Sequence, residues 1–401
     1  MPPDAVHEIP AHTARRGRRF ARPHGTALHA VAAPPLRVAD VALFYGERSG
    51  GIRTYLDAKR RWAAATPGID HHVIVPGAQR RHANGVHALP SFRVRAANGY
   101  RIPLGVGALK ATLRALRPDV VLLHDPFWGP LGVTRLAHAA GGRVVAVHHG
   151  SSALDAAGLP GPDAPWRAVF RVWMHHAYRD VDTVMSAVDP RRDSGRTATI
   201  PLRFGLHPAF RPRPGTVRGD HVLFVGRIAR EKGVFDLVRA AARAREPWPL
   251  RLVGSGPALG RVEALARRLG VSDRLEVRPY LRDREELART YAEARAVVMP
   301  GAHETFGLVG FEAAASGAAT VACATAPCVA LMPELAFTFP AGEVDGLLAA
   351  IEAARAAPGD PGGALALAER STWERAFAAE LEDLGALVAP GGGTGRRRSA
   401  A

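Results

Sequence analysis

The sequence predicts an α/β protein made of two Rossmann-like domains that face each other across a cleft. Three observations carry this. Short apolar runs alternate with amphipathic helical patterns, the alternation breaks once at a Pro/Gly/Arg-rich stretch over residues 205–219, and it then resumes. In such domains the loops at the carboxyl ends of the strands meet at the cleft. With 401 residues, 47% of them hydrophobic, the chain can fill two cores.

The elements follow in chain order. Residues 1–36 contain Arg15, Arg16, Arg18, Arg19 and Arg22 with no following apolar segment of signal-peptide type, and read as a disordered basic arm. In a first domain, 37–205, the runs 38–45, 73–75, 120–124 and 144–148 read as strands, and 52–65, 104–116 and 131–139 as helices. A second domain, 206–371, repeats the pattern with strands at 221–225, 250–253, 275–277 and 296–299. Its helices fall at 234–245, 259–269 and 285–293, with another carrying Glu312. A last helix, 372–390, contains Trp373 and Phe377, and 391–401 reads as a flexible tail. No apolar run reaches membrane-spanning length. Cys323 and Cys328 are the only cysteines, too few for a disulfide framework or a four-thiolate metal site, so a reduced cytoplasmic protein is expected.

The formal charge of +16 is unevenly spread. It is +3 over 1–36, +11 over 37–205, −1 over 206–390 and +3 in the tail. An anionic surface or acceptor on the first domain accounts for this imbalance. Nucleic acid does not, because no interleaving of aromatic and basic residues of that kind and no binding motif accompanies it.

Chemistry concentrates at strand ends. Glu304 and Glu312 stand eight residues apart across a strand-to-helix junction, with Phe306, Gly307 and Leu308 between them. If the helix starts near Phe306, the free N–H groups of these three residues make an anion site flanked by two carboxylates, each able to accept hydrogen bonds from a pair of hydroxyls. Hexose, diphosphate and ribose fit that order. The plain alternative is a helix cap and a solvated helix residue. The strand at 221–225 runs into Gly226-Arg227-Ile-Ala-Arg230-Glu231-Lys232-Gly233, where Arg227 can fork onto phosphate oxygens and Lys232 adds a compact charge. Lys59, Lys110 and Lys232 are the only lysines, so one in this loop is a pointed choice. Gly50-Gly51 precedes the first helix and frees backbone N–H groups, although paired glycines also make an ordinary tight connection. His148-His149 and His124-Asp125-Pro126 end two neighbouring strands.

The stretch Glu304-x7-Glu312 resembles the Glu-x7-Glu motif of the retaining GT-B glycosyltransferases of family 4, and Gly226-Arg227-x4-Lys232-Gly233 resembles that family's Gly-Arg-x4-Lys-Gly motif. The resemblance covers about residues 37–388 and is strongest over 221–318. It implies a GT-B fold whose last helix crosses back onto the first domain. It also implies retaining transfer of a hexose from a nucleoside diphosphate sugar, without metal or cofactor. Arg227, Lys232, Glu304 and His148 would then be catalytic, and Gly50, Gly51, Phe306, Gly307, Leu308 and Glu312 would bind the donor. His148 matches the family histidine that touches the hexose, with His149 second; Gly254-Ser-Gly256-Pro257 matches a family turn, and Pro279-Tyr280-Leu281 would border the base. Asp180-Val-Asp182 imitates the metal motif of a different glycosyltransferase fold, and no metal role is expected for it. The sequence departs from the pattern at Leu202-Arg203-Phe204-Gly205, where an asparagine is missing, at Ala318-Ala319-Thr320, and at Ala326-Pro327-Cys328. A sugar-nucleotide epimerase and a non-catalytic sensor are the alternatives.

The acceptor is unknown. The segment 166–179 mixes Trp166, Trp173 and Tyr178 with Arg167, Arg171 and Arg179 in the manner of an interfacial helix, which suggests a peripheral protein on an anionic membrane face. The alternative is a helix packed into its domain with the arginines in water.

Overall fold

The computed structural model describes residues 34–46, 50–93, 101–149, 152, 156, 161–196, 198–357 and 359–389. Most of the basic arm and the whole tail lie outside these residues.

Among the described residues the first sheet has nine strands: β1 (Leu36–Val41), β2 (Ile69–Gly77), β3 (Arg81–Ala83), β4 (Val86–Arg93), β5 (Arg101–Pro103), β6 (Val120–Leu123), β7 (Arg143–His148), β8 (Thr183–Ser186) and β9 (Ala198–Pro201). Their order is β3-β4-β2-β1-β6-β7-β8-β9, with β5 on β4; only β3 and β5 run antiparallel to their neighbour. The second sheet holds β10 (Val222–Val225), β11 (Leu250–Val253), β12 (Leu275–Arg278), β13 (Ala296–Met299), β14 (Thr320–Cys323) and β15 (Ala336–Phe339) in the order β12-β11-β10-β13-β14-β15, all parallel. This is the doubly wound order, whose strand sequence reverses between β10 and β13. In the first sheet the reversal falls between β1 and β6.

Among the described residues the α-helices are α1 (Gly51–Ala64), α2 (Gly107–Leu116), α3 (Pro130–Ala139), α4 (Asp163–Ala177), α5 (Arg191–Ser194), α6 (Val234–Arg243), α7 (Leu259–Arg268), α8 (Arg284–Glu293), α9 (Leu308–Ala315), α10 (Val344–Ala356), α11 (Pro361–Arg370) and α12 (Trp373–Val388). Central strands such as β6 and β13 are buried on both faces, which explains their unbroken apolar runs. No helix among the described residues is long and apolar enough to cross a membrane.

The last helix crosses back onto the first domain. Thr372 caps it by accepting from the Arg375 N–H at 3.3 Å, and Leu206 N–H donates to the Ser371 carbonyl at 2.7 Å, which fixes the crossing beside the chain that joins the sheets. Gly205 is required there, since a Cβ would collide with the Trp373 backbone. Trp373 and Phe377 stack at 5.1 Å and close on Tyr55 and Phe204. Beneath them lies a buried charge network. Lys59 bridges Glu380 of α12 at 2.6 Å and Asp40 of β1 at 3.0 Å, while Tyr55 donates to Glu380. Burial disfavours the Asp40 carboxylate, but Lys59 and hydrogen bonds from His124 and His71 outweigh it and hold its pKa well below the ordinary value.

Candidate active site

The site grows from the two reversal points. After β10 the chain enters Gly226, held at φ 145° with its N–H on the Val253 carbonyl, and then a short 3-10 turn over Arg230–Lys232 that ends at Gly233 in the left-handed region. A Cβ at Gly233 would stand 2.6 Å from the Pro300 carbonyl oxygen, so this loop is pressed against the chain leaving β13. That contact brings Lys232 to Glu304: the ammonium donates to both carboxylate oxygens, at 2.8 and 2.9 Å. Arg227 is half exposed and pairs with Glu231, whose side chain is buried. Gly254 and Gly256 have a packing role, because a Cβ at either would collide with the backbone of Gly226 or Ile228. They let the 254–257 turn pack directly on the 226–233 loop.

The helix carrying the second glutamate begins later than the sequence suggests. Gly307, at φ 95°, is the N-cap of α9 and Leu308 its first residue, so the amides open at the helix start are those of Leu308, Val309 and Gly310. Phe306 lies outside the helix, with its ring stacked on Phe204 at 4.3 Å and edge-on to Phe311 at 5.2 Å. Packing, not an open amide, is what its side chain supplies. Gly307 is confined by Cys328 Sγ and Met299 Cε, which would lie 2.6 and 2.8 Å from a Cβ.

Glu312 sits one turn into α9, almost fully buried, and its carboxyl is pushed up to about 7 by that burial, with Arg284 and Tyr291 opposing. Tyr291 donates to it at 3.2 Å and Arg284 lies 3.5 Å away. Arg284 is a residue that sequence reasoning missed. Its other nitrogen donates to Thr54 Oγ1 at 3.1 Å, in the first turn of α1, so one guanidinium links the second glutamate to the first domain. Spacing gives no sign of this, because Arg284 belongs to an ordinary charged helix start.

Gly50 and Gly51 open α1, and the position of a Cβ on Gly51 lies 3.3 Å from Leu308 Cδ1. Two helix N-termini therefore converge, one from each domain. A helix N-terminus, with its unpaired N–H groups and the positive end of its dipole, favours an anion, and α9 opens at Leu308, four residues after Glu304.

The histidine pair divides. His148 ends β7 with its ring edge-on to Tyr178 at 6.4 Å and its Nε2 3.9 Å from Asp193. His149 turns to α1, edge-on to Tyr55 at 6.2 Å, and meets His124 at 2.6 Å. His124 Nε2–H donates to Asp40 at 2.5 Å, and its Nδ1 is the atom that meets His149 Nε2. Burial lowers the pKa of both His148 and His149, which favours their neutral forms. Asp125 is committed to its loop, accepting from the N–H groups of Leu43, Phe127 and Trp128. Asp182 is likewise engaged by His138, Arg143 and the Val144 N–H, and Asp180 pairs with Arg179; both precede β8, at the strand end away from the cleft.

Helix α4 rests on its domain through a narrow face, with Trp173 Nε1–H donating to the Pro126 carbonyl at 2.9 Å and Phe170 edge-on to Phe127. Of its 15 residues only Met174 and Ala177 are buried, whereas Trp166, Val169, Val172 and Trp173 are 38–70% exposed. Its first residue, Asp163, lies 3.8 Å from Arg230 of the 226–233 loop.

Comparison with known proteins agrees with this geometry. The family model described as Glycosyltransferase Family 4 matches residues 49–187, and the one described as Glycosyl transferases group 1 matches residues 219–356. A GDP-mannose-dependent alpha-(1-6)-phosphatidylinositol dimannoside mannosyltransferase of Mycobacterium tuberculosis is 30% identical over 382 residues, covering 88% of this chain and 97% of that protein. A D-inositol 3-phosphate glycosyltransferase of Xylanimonas cellulosilytica is 39% identical over 135 residues, 32% of each chain. Among solved structures, sucrose-phosphate synthase from Thermosynechococcus elongatus superposes with a TM-score of 0.67 at 22% identity, over 88% of this chain and 98% of that one. Anabaena HepE in complex with UDP-glucose does so with 0.65 at 16% identity, over 88% and 100%.

Proposed function

The chain belongs to glycosyltransferase family 4, with the GT-B fold, and from that premise we propose that it transfers a hexose from a nucleoside diphosphate sugar with retention of configuration and without a metal ion. The observation that carries this reading is the contact of Lys232 with Glu304, on a loop that also holds Arg227, a few residues before the point where the N-termini of α9 and α1 meet. The diphosphate occupies the positive side of the cleft, and the donor takes over the Lys232–Glu304 pair: the ammonium turns to phosphate, the carboxylate to hexose hydroxyls. Glu312 and Arg284 lie where the ribose would end. In the transfer the hexose–phosphate bond breaks and the acceptor hydroxyl bonds to the anomeric carbon on the same face. The departing phosphate oxygen takes the hydroxyl proton. Arg227 and Lys232 stabilise the charge that develops, a task that a metal performs elsewhere.

The acceptor side follows from α4 and the +11 charge of residues 37–205. An exposed helix bearing two tryptophans and Arg167 and Arg171 at the cleft rim suits an anionic lipid surface, and a lipid-linked envelope acceptor on the cytoplasmic face fits both features. The similarity to a mannosyltransferase acting on a phosphatidylinositol mannoside makes GDP-mannose and that lipid class the first pair to assay.

Calorimetric titration with UDP, GDP and their hexose conjugates tests the donor site. One nucleoside diphosphate binds the wild type, and Arg227→Ala or Lys232→Ala lowers turnover by about 10²-fold or more while the fold persists. Transfer continues in EDTA. Failure of every nucleotide to bind, or a strict need for added divalent ion, would overturn the proposal.

A further inference from the structure

We propose that the chain binds one divalent transition-metal ion, of the zinc class, through His72, His82 and His87 at the edge of the first sheet, remote from the sugar-nucleotide cleft. The pleat selects the three residues. His72 lies two positions from Ile74 in β2, Ile74 is the register partner of His87 in β4, and His87 is the register partner of His82 in β3, so all three share one face. The neighbouring His71 falls on the opposite face, where it donates into the Asp40 network at 2.5 Å.

One nitrogen from each of His72, His82 and His87 lies within 4.8 Å of the others. His72 Nδ1 and His87 Nε2 are 3.1 Å apart, close to the roughly 3.3 Å edge of a tetrahedron with metal–nitrogen bonds of 2.0–2.1 Å. The rings of His82 and His87 stack at 4.1 Å. Imidazole sets of this kind suit zinc, copper and nickel, and three ligands leave the fourth position to water.

A second observation points the same way. His72 Nε2 lies 3.1 Å from Asp70 Oδ1, and Asp70 Oδ2 is held by Arg37 Nε at 2.6 Å. A carboxylate can only accept, so His72 carries its proton on Nε2 and presents the lone pair of Nδ1 to the cluster. This carboxylate–histidine arrangement is the one that orients metal-bound imidazoles.

The local fold gives the ion something to do. Strand β3 is three exposed residues closed by a two-residue turn at Asn84-Gly85, both at positive φ. Its exposed residues offer no apolar clasp to hold it on the sheet. A metal shared between β2, β3 and β4 would pin this edge hairpin. His72 lies in the amino-terminal half of β2, whereas the donor site occupies the carboxyl ends of the strands, so the ion is structural and takes no part in transfer.

The test is titration of chelator-treated full-length protein with zinc chloride, followed calorimetrically, with cobalt substitution read by visible absorption. Wild-type protein takes up one ion with micromolar or tighter affinity. His82→Ala and His87→Ala each weaken it at least about tenfold, and Asp70→Asn weakens it about 10- to 100-fold, the cost of losing an orienting partner. His82 is exposed, so its variant should keep the fold, which circular dichroism checks, and it decides the matter even where a His72 variant does not fold. Hydrogen exchange at residues 81–87 slows with zinc in wild type alone. His7, His12, His24 and His29 lie in the basic arm, so the triple variant lacking His72, His82 and His87 is the control. No uptake by wild type in the micromolar range, or undiminished uptake by the triple variant, would overturn the site. Nucleotide affinity stays the same in every variant, which keeps this result separate from the donor-site reading.

Discussion

Glu312 is buried beside α8 with Tyr291 and Arg284 as its partners, and its carboxyl is raised from 4.5 to about 7. The native state therefore keeps a proton that the unfolded chain loses, and stability falls as pH rises from about 4.5 to about 7, where both states become ionised. Glu312→Gln removes this penalty, which is on the order of 3 kcal/mol above pH 7 from the size of the shift. Urea unfolding should show the variant more stable than wild type at pH 8, with the advantage shrinking towards pH 5; an advantage independent of pH would assign the effect to something other than ionisation. Calorimetry should show the same variant binding nucleoside diphosphate more weakly. Glu304 differs, since its ion pair with Lys232 is partly open to water, so Lys232→Ala should depress turnover with a stability change below about 1 kcal/mol.

At the scale of elements, the cleft depends on loops that pass closer than a side chain allows. Gly254, at φ 146°, sits against the carbonyl of Gly226, whereas Gly307, at φ 95°, faces the movable ends of Met299 and Cys328. Both alanine variants carry backbone strain on the order of 1–3 kcal/mol, but only Gly254→Ala must also displace main chain. Gly254→Ala should therefore be the more destabilising in urea, and a reversed order would show that the loops yield more readily than the side chains. Helix α4 carries the acceptor-side reading. Replacing Trp166 and Val172 together with serine should abolish flotation with anionic liposomes at low salt and leave nucleotide affinity unchanged, because exposed side chains contribute little to the fold. Recovery equal to wild type would favour a soluble acceptor.

Across the whole molecule, Lys59 is the joint between α12 and the first sheet. Replacing it with methionine leaves Asp40 and Glu380 facing each other in a dry interior, a loss of about 3–5 kcal/mol. Chemical unfolding of Lys59→Met against Lys110→Met measures this, and equal midpoints would show that water reaches the pair. The same network reaches the cleft through Asp40, His124 and His149, so the loss should extend to the geometry behind β7.

Much of this architecture was legible along the chain. The apolar runs at 250–253 and 296–299 match β11 and β13 residue for residue, since a strand buried on both faces leaves an unbroken signature. The two glutamates and the Arg/Lys loop stood out because each lies within a few residues of a strand end and resembles a family motif, and the structure brings Lys232 of that loop onto Glu304. Strands β3, β5 and β9 were not legible, because short edge strands carry few apolar residues; nor were β4, which includes His87, Pro90 and Ser91, and the four-residue β8; β14, β15, α10 and α11 hide in alanine-rich sequence without contrast between faces. The start of α9 shifted by two residues because left-handed Gly307, not composition, ends the turn. Tertiary structure alone decided that Arg284 reaches Thr54, that His149 meets His124 and through it the Asp40 network, that Lys59 is buried, and that His72, His82 and His87 meet. Periodicity reports which face a residue occupies within its own element. Contacts between elements distant in sequence depend on strand order and helix crossing, and those are settled only when the whole chain packs.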